Sequence, residues 1–357
     1  MVESAPESAL SPTTDAALSD RGLIETLDAE RRRLGIPGAV VHVSGPSRGI
    51  CTRALGVRDL ATGEPLAADT RMRVGSVTKM IVALIILRLV DAGELCLDDE
   101  IHEHLPELSD LQVPRGVTVR RLLNMTSGLP DYTSEEFVEG LLVAPDRLWT
   151  PSELLEVAFS GSQEFAPGTS WAYCNAGYIV LGMLIEHLSN ARVEDVARRL
   201  VFDPLGMHAT ELPPLTHGSS TLPDPRLRGY HRQADELADA TRINPSWAWT
   251  AGNAVSTAGD LRLLVEASAR GDLLQEQTHR ERMSTHPVPE TTLGYGLGIA
   301  NFDGMWGHNG ELPGFQSFAG YDPATGTTIV VLTNLDDHSA DTLAAFLRAR
   351  LADTAGS

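Results

Sequence analysis

The chain is 357 residues long, with 42% hydrophobic and 21% charged residues. That balance supplies a sizeable core and excludes a wholly disordered chain, and the length suits one large domain or two sharing a boundary. A net charge of −20 lacks the basic footprint of a nucleic-acid or anionic-membrane binder.

In chain order, residues 1–20 are rich in Ser, Ala, Pro and acids and read as a disordered tail. They lack the basic start and apolar core of a secretory signal, so a cytoplasmic location is expected. Residues 23–34 carry apolar positions at helical spacing and stop before Gly35-Ile36-Pro37-Gly38. Residues 39–43 and 50–55 read as strands around the turn Gly45-Pro46-Ser47. A long helix is expected from near Ser76 through residues 80–87. It is apolar on nearly every face and interrupted by Arg88 and Asp91, which suits a buried helix rather than a membrane span. Helices follow at 117–125, 151–159, 176–188 and 193–201 between Pro-rich loops, with Thr150-Pro151 capping the second. Strands at 315–321 and 327–333 flank the hairpin turn Asp322-Pro323-Ala324-Thr325-Gly326, and a helix at 340–351 closes the chain. The pattern predicts an α/β fold, an antiparallel sheet built from both termini and flanked by helices, with a mainly helical region inserted. The expected division is a tail at 1–20, a sheet domain from 21–75 and 250–357, and a helical domain at 76–249.

The 28 basic residues are 27 arginines and one lysine, Lys79. GC-rich codon usage explains the missing lysines. The remaining one is either chance or a position that must lose its proton at accessible pH, which arginine does not do. Lys79 lies three residues after Ser76, so on a helix starting there the two side chains share a face one turn apart. A serine hydroxyl needs a base to become a nucleophile, and a lysine held against a buried helix is driven towards neutrality. Tyr173 and Asn175 precede the helix at 176–188. A tyrosine beside a cation can act as base or proton relay, and an asparagine can hold a carbonyl or orient the lysine. Trp306-Gly307-His308-Asn309-Gly310-Glu311 precedes the final hairpin, with glycines that allow close backbone approach to a ligand. Cys51, Cys96 and Cys174 form no CxxC pair, which argues against a structural zinc site or disulfide framework. There is no HExxH, and His102-Glu103-His104 has the wrong spacing for two imidazoles on one helical face.

Together, Ser76-x-x-Lys79, Tyr173-x-Asn175 and His308-x-Gly310 resemble the serine β-lactamase and penicillin-binding family, in the group of class C β-lactamases and soluble D-alanyl-D-alanine carboxypeptidases. Residues 119–132, Ser246-Trp247-Ala248 and Gly294-Tyr295-Gly296-Leu297-Gly298 look similar too, and the resemblance spans roughly residues 20–352. It implies that Ser76 is acylated and that Lys79 and Tyr173 share the proton traffic, either being the resting base. It also implies that Asn175 positions the substrate carbonyl or amide, and that His308 assists Tyr173. Backbone N–H groups of Ser76 and Glu311 would form the oxyanion hole, Asn309 and Gly310 would border the substrate, and Phe137 and Trp247 would form aromatic walls. No metal or organic cofactor is implied.

Two departures bear on substrate. The soluble carboxypeptidases of this family bind a substrate carboxylate with an arginine after the Gly-Tyr-Gly-Leu-Gly strand and a hydroxyl after His-x-Gly. Here Ala300 and Glu311 stand at those places, and no Arg or Lys lies between Gly294 and His308. Losing a cation and gaining an acid should repel a carboxylate. The expected activity is therefore a serine transacylase or esterase taking an ester or amide donor, with amine or water as acceptor. Relatives such as the transacylases of capuramycin-type antibiotic pathways do this in the cytoplasm. The alternatives are a D-alanyl-D-alanine carboxypeptidase, a class C-like β-lactamase, or a non-catalytic binding protein on the same fold.

Overall fold

Eight strands form one antiparallel sheet among the described residues of the computed structural model, which are 14–46, 49–111, 113–233 and 236–355. They are β1 (Gly38–Gly45), β2 (Gly49–Gly56), β3 (His286–Pro287), β4 (Gly294–Tyr295), β5 (Ala300–Phe302), β6 (Met305–Leu312), β7 (Phe315–Asp322) and β8 (Thr327–Thr333). Their spatial order is β2-β1-β8-β7-β6-β5-β4-β3, so strands from the two ends of the chain meet at β1 and β8. Both are rich in β-branched residues and buried on both faces. Alternation sends Val41, Val43, Ile329 and Val331 to one face and Val40, Val330 and Leu332 to the other. The first face packs on α1 (Thr14–Arg33) and the C-terminal helix through Leu27, Leu343 and Leu347.

The other face packs on a larger core that includes α2 (Thr78–Asp91), α3 (Glu135–Val143), α4 (Pro151–Phe159), α5 (Asn175–Ser189) and α6 (Ala258–Arg270), the C-terminal helix being α7 (Ser339–Ala355). Every residue of α2 from Thr78 to Leu87 is buried, as its uninterrupted apolar run requires. Thr150 makes a full capping box with Glu153 at the start of α4.

Three expectations change. Helix α1 starts at Thr14. Residues 14–20 are thus not part of a tail, while 1–13, like Ser47 of the expected turn, lie outside the described residues. The run through Gly294 and Phe302 is not one strand but a tight hairpin pairing Tyr295 with Ala300. The His308 segment precedes the last hairpin as expected, but is itself a strand, β6, paired with β7. No described helix is long and apolar enough to cross a membrane.

Candidate active site

Ser76 sits in a single 3-10 turn, Gly75–Val77, directly ahead of α2. Gly75 has φ +52°, and a Cβ there would lie 2.6 Å from the Glu311 backbone N, so glycine lets the turn rest against β6. Ser317 Oγ on β7 donates to the Val74 carbonyl at 2.7 Å, and Thr78 Oγ1 donates to the Gly75 carbonyl at 2.7 Å. The turn is thus tied to both sheet and helix.

One turn along α2, Lys79 is fully buried. Its Nζ lies 3.0 Å from Ser76 Oγ, 2.7 Å from Asn175 Oδ1 and 2.8 Å from the Ala251 carbonyl. Two of these partners are pure acceptors. A neutral amine has two hydrogens for them and one lone pair left, which then faces the Ser76 hydroxyl. Desolvation by burial pushes the Lys79 ammonium down to about 7, against the opposing influence of Asp131 and Cys174. Ser76 acylation should therefore rise with pH through about 7 and level off above it; burst-phase kinetics against pH would check this.

Tyr173 reaches the same serine from the loop before α5, which Met125 holds by accepting from Ala172 N at its carbonyl and Cys174 N at its sulfur. Its ring lies 4.7 Å from Lys79 Nζ. Desolvation pushes the Tyr173 phenol above its ordinary value, against the hydrogen bond to Ser76, which pulls it down. Burial thus moves the two bases apart, towards an amine at Lys79 and a phenol at Tyr173.

Asn175, the first residue of α5, gives its Nδ2 hydrogens to Asp131 Oδ2 and Thr133 Oγ1, each at 3.0 Å, which leaves Oδ1 for Lys79. Asp131 Oδ1 also accepts from the backbone N–H groups of Asn175 and Ala176, each at 3.0 Å. Sequence reasoning missed Asp131; its place after the Ser127-Gly128-Leu129-Pro130 turn is the available signal.

Strand β6 forms the opposite wall. At Gly310 a Cβ would lie 2.1 Å from the Val74 carbonyl and 2.7 Å from Ser76 N. Leu312 and Phe315 flank the two-residue turn Pro313-Gly314, so they and Gly310–Ser317 are the hydrogen-bonded pairs of the hairpin. Glu311 falls in the intervening pair. Its N–H points away from β7, towards the Ser76 turn.

A cleft of about 360 Å³ opens over this group, lined by Ser76, Tyr173, Asn175, Trp247, Gly310 and Glu311 among others. Three expected roles change. His308 is buried and turns from Tyr173: Nδ1 faces the Asn309 carbonyl and Nε2 the Tyr295 hydroxyl at 2.9 Å. Desolvation first, then Lys79, pushes it down to about 3, so it stays neutral. The Asn309 side chain donates to Asp341 of α7 at 3.0 Å, so it borders the cleft by its backbone. Phe137 is not part of the cleft lining. It packs between Tyr132, Trp149 and Trp247 and borders a second cavity beyond α3.

The cleft's charge is acidic. Glu311 and Asp336 line it and, among the described residues, no arginine does, while Ala300 is buried in β5. Asp336 is paired with His231 at 2.8 Å. The Glu311 carboxyl, held by Gln316 at 2.8 Å, is pushed up mainly by desolvation, with Asp336 and Asp341 adding to it.

A family model described as Beta-lactamase matches residues 23–353. The chain belongs to the β-lactamase family. It is 30% identical over 341 residues to penicillin-binding protein 4 of Amycolatopsis lactamdurans, covering 87% of this chain and 84% of that one. It is 36% identical over 215 residues to esterase EstB of Burkholderia gladioli, covering 56% of this chain and 53% of the esterase. The D-amino acid amidase of Ochrobactrum anthropi SV3, solved with D-phenylalanine, superposes with a TM-score of 0.81 at 25% identity over 96% of this chain and 100% of the amidase. The family is of the serine-hydrolase type, and the antiparallel sheet with its helices is the β-lactamase and transpeptidase fold.

Proposed function

We propose that the protein is a serine acyl-transfer enzyme whose nucleophile is Ser76 and whose resting base is neutral Lys79. The observation that carries this is the Lys79 hydrogen-bond set, two acceptors plus the Ser76 hydroxyl. In the first step the Ser76 Oγ–H proton passes to Lys79 Nζ as Oγ bonds the substrate carbonyl. The N–H groups of Ser76 and Glu311 hold the resulting oxyanion, which supplies about 3 kcal/mol per donor. Collapse expels the alcohol or amine with a proton returned from Lys79 through Tyr173. Water or an amine then repeats the sequence on the Ser76 ester.

The substrate class follows from charge. Glu311 and Asp336 favour an ester or amide that is neutral or carries an ammonium group there, over one carrying a carboxylate. The likeness to an amidase and to an esterase supports an amide or ester donor. We assign the acceptor as an amine in the assembly of a specialised metabolite, with water as the competing acceptor.

An acyl-donor screen with and without added amine tests the assignment, with intact-mass detection of the Ser76 adduct. Amino-acid esters should turn over on the order of tenfold faster than their N-succinyl counterparts, and Glu311→Gln should shrink that ratio. Fast hydrolysis of a D-alanyl-D-alanine peptide, with its methyl ester and amide inert, would overturn the substrate class. Amine that never changes the product would leave a hydrolase.

A further inference from the structure

We infer that Asp131 is a positioning residue for proton transfer, orienting the Asn175 amide so that Lys79 meets an acceptor and keeps its lone pair for Ser76. The inference rests on Lys79 being the base of Ser76.

Asn175 can face Lys79 in two ways. With Oδ1 forward it takes a lysine hydrogen, and a neutral amine then turns its lone pair to the Ser76 hydroxyl. With Nδ2 forward it donates to that lone pair, and the serine proton has no acceptor. Nothing intrinsic to an amide chooses between these. Asp131 chooses, because its Oδ2 accepts from Asn175 Nδ2 at 3.0 Å and has no hydrogen to give. Thr133 Oγ1 accepts the second Nδ2 hydrogen at 3.0 Å and donates its own to Asp131 Oδ2 at 2.6 Å, so the polarity propagates around the loop. Asp131 Oδ1 holds the first two N–H groups of α5, which keeps Asn175 from sliding along the helix.

The other titratable groups facing Lys79 are Tyr173 and Cys174 from the loop before α5, Tyr178 from α5 and His308 from β6. Asp131 is the carboxylate among them. It favours the ammonium, so its charge opposes base formation while its geometry supports it. The two contributions separate by mutation.

In Asp131→Asn the Oδ2 acceptor becomes an NH2 group facing Asn175 Nδ2, and relieving that donor–donor contact flips Asn175. The paired variant Asp131→Asn/Asn175→Asp restores an acceptor towards Lys79. The new amide at position 131 donates to the new carboxylate at position 175, and Thr133 donates to that carboxylate as well. The α5 N–H groups keep an acceptor in the amide oxygen at position 131. The exchange also moves the negative charge next to Lys79.

Because the chain has one lysine, ε-13C-lysine labelling gives a single resonance whose pH titration reads Lys79 directly. The p-nitrophenyl acetate burst reads acylation. Asp131→Asn should titrate below wild type and lose on the order of tenfold or more in plateau burst rate. The paired variant should titrate above wild type and recover the burst at high pH. If Asp131→Asn leaves both the lysine titration and the burst rate as in wild type, Asp131 has no such role. If that variant does not fold, the paired variant decides: a titration above wild type with a high-pH burst supports the role, and a titration at or below wild type overturns it. A wild-type protein that forms no Ser76 adduct would remove the catalytic reading, while the lysine titration would still judge Asp131.

Discussion

Lys79→Arg should leave the protein folded and reduce Ser76 acylation by about a thousandfold. The site keeps two hydrogen-bond acceptors for a buried cation, Asn175 Oδ1 and the Ala251 carbonyl, and a guanidinium can use both. The extra atoms in a fully packed helix cost about 1–3 kcal/mol. A guanidinium has no lone pair to accept the Ser76 proton and does not release its own near neutral pH. Thermal unfolding should show one transition a few degrees below wild type, and the acyl adduct should vanish from the mass spectrum. An active Lys79→Arg protein would make the single lysine of the chain an accident of codon usage. Lys79→Ala is a weaker test, since a cavity under the nucleophile also displaces the serine.

Much of this site could be read from the sequence because local spacing fixes it. Ser76 and Lys79 share one helical face wherever the helix exists, and the all-apolar run of α2 guarantees both helix and burial. Burial in turn depresses the lysine, so one sequence feature implies both geometry and protonation state. The meeting of the two termini in one sheet was legible for a similar reason, since β-branched strands near both ends need common cover. Side-chain direction in β6 was not legible. The glycines around His308, Asn309 and Gly310 signal a close backbone approach to a ligand but not which way each side chain points. A strand sends neighbours to opposite faces, so Asn309 turns to Asp341 on α7 and His308 to Tyr295. Asp131 was missed because its partners on α5 are 44 and 45 residues away, a distance no local pattern reports.

Gly310→Ala should reduce acylation by about 100- to 1000-fold, the cost of losing one oxyanion donor. The methyl group would sit 2.1 Å from the Val74 carbonyl and 2.7 Å from Ser76 N. Both are backbone atoms, so no side-chain rotation relieves the contact. Either β6 or the nucleophile turn must withdraw. Both are anchored, β6 by its ladder to β7 and the turn through Ser317 Oγ to Val74 and Thr78 Oγ1 to Gly75. Either movement separates the Glu311 N–H from the Ser76 N–H. The affected quantity is stabilisation of the tetrahedral intermediate, so kcat should fall with KM nearly constant and the pH limb near 7 should not move. That pattern separates it from Lys79 and Asp131 variants, which act on the proton. Wild-type acylation rates in Gly310→Ala would mean that β6 does not supply the second donor, and that the oxyanion rests on Ser76 N–H with a different partner.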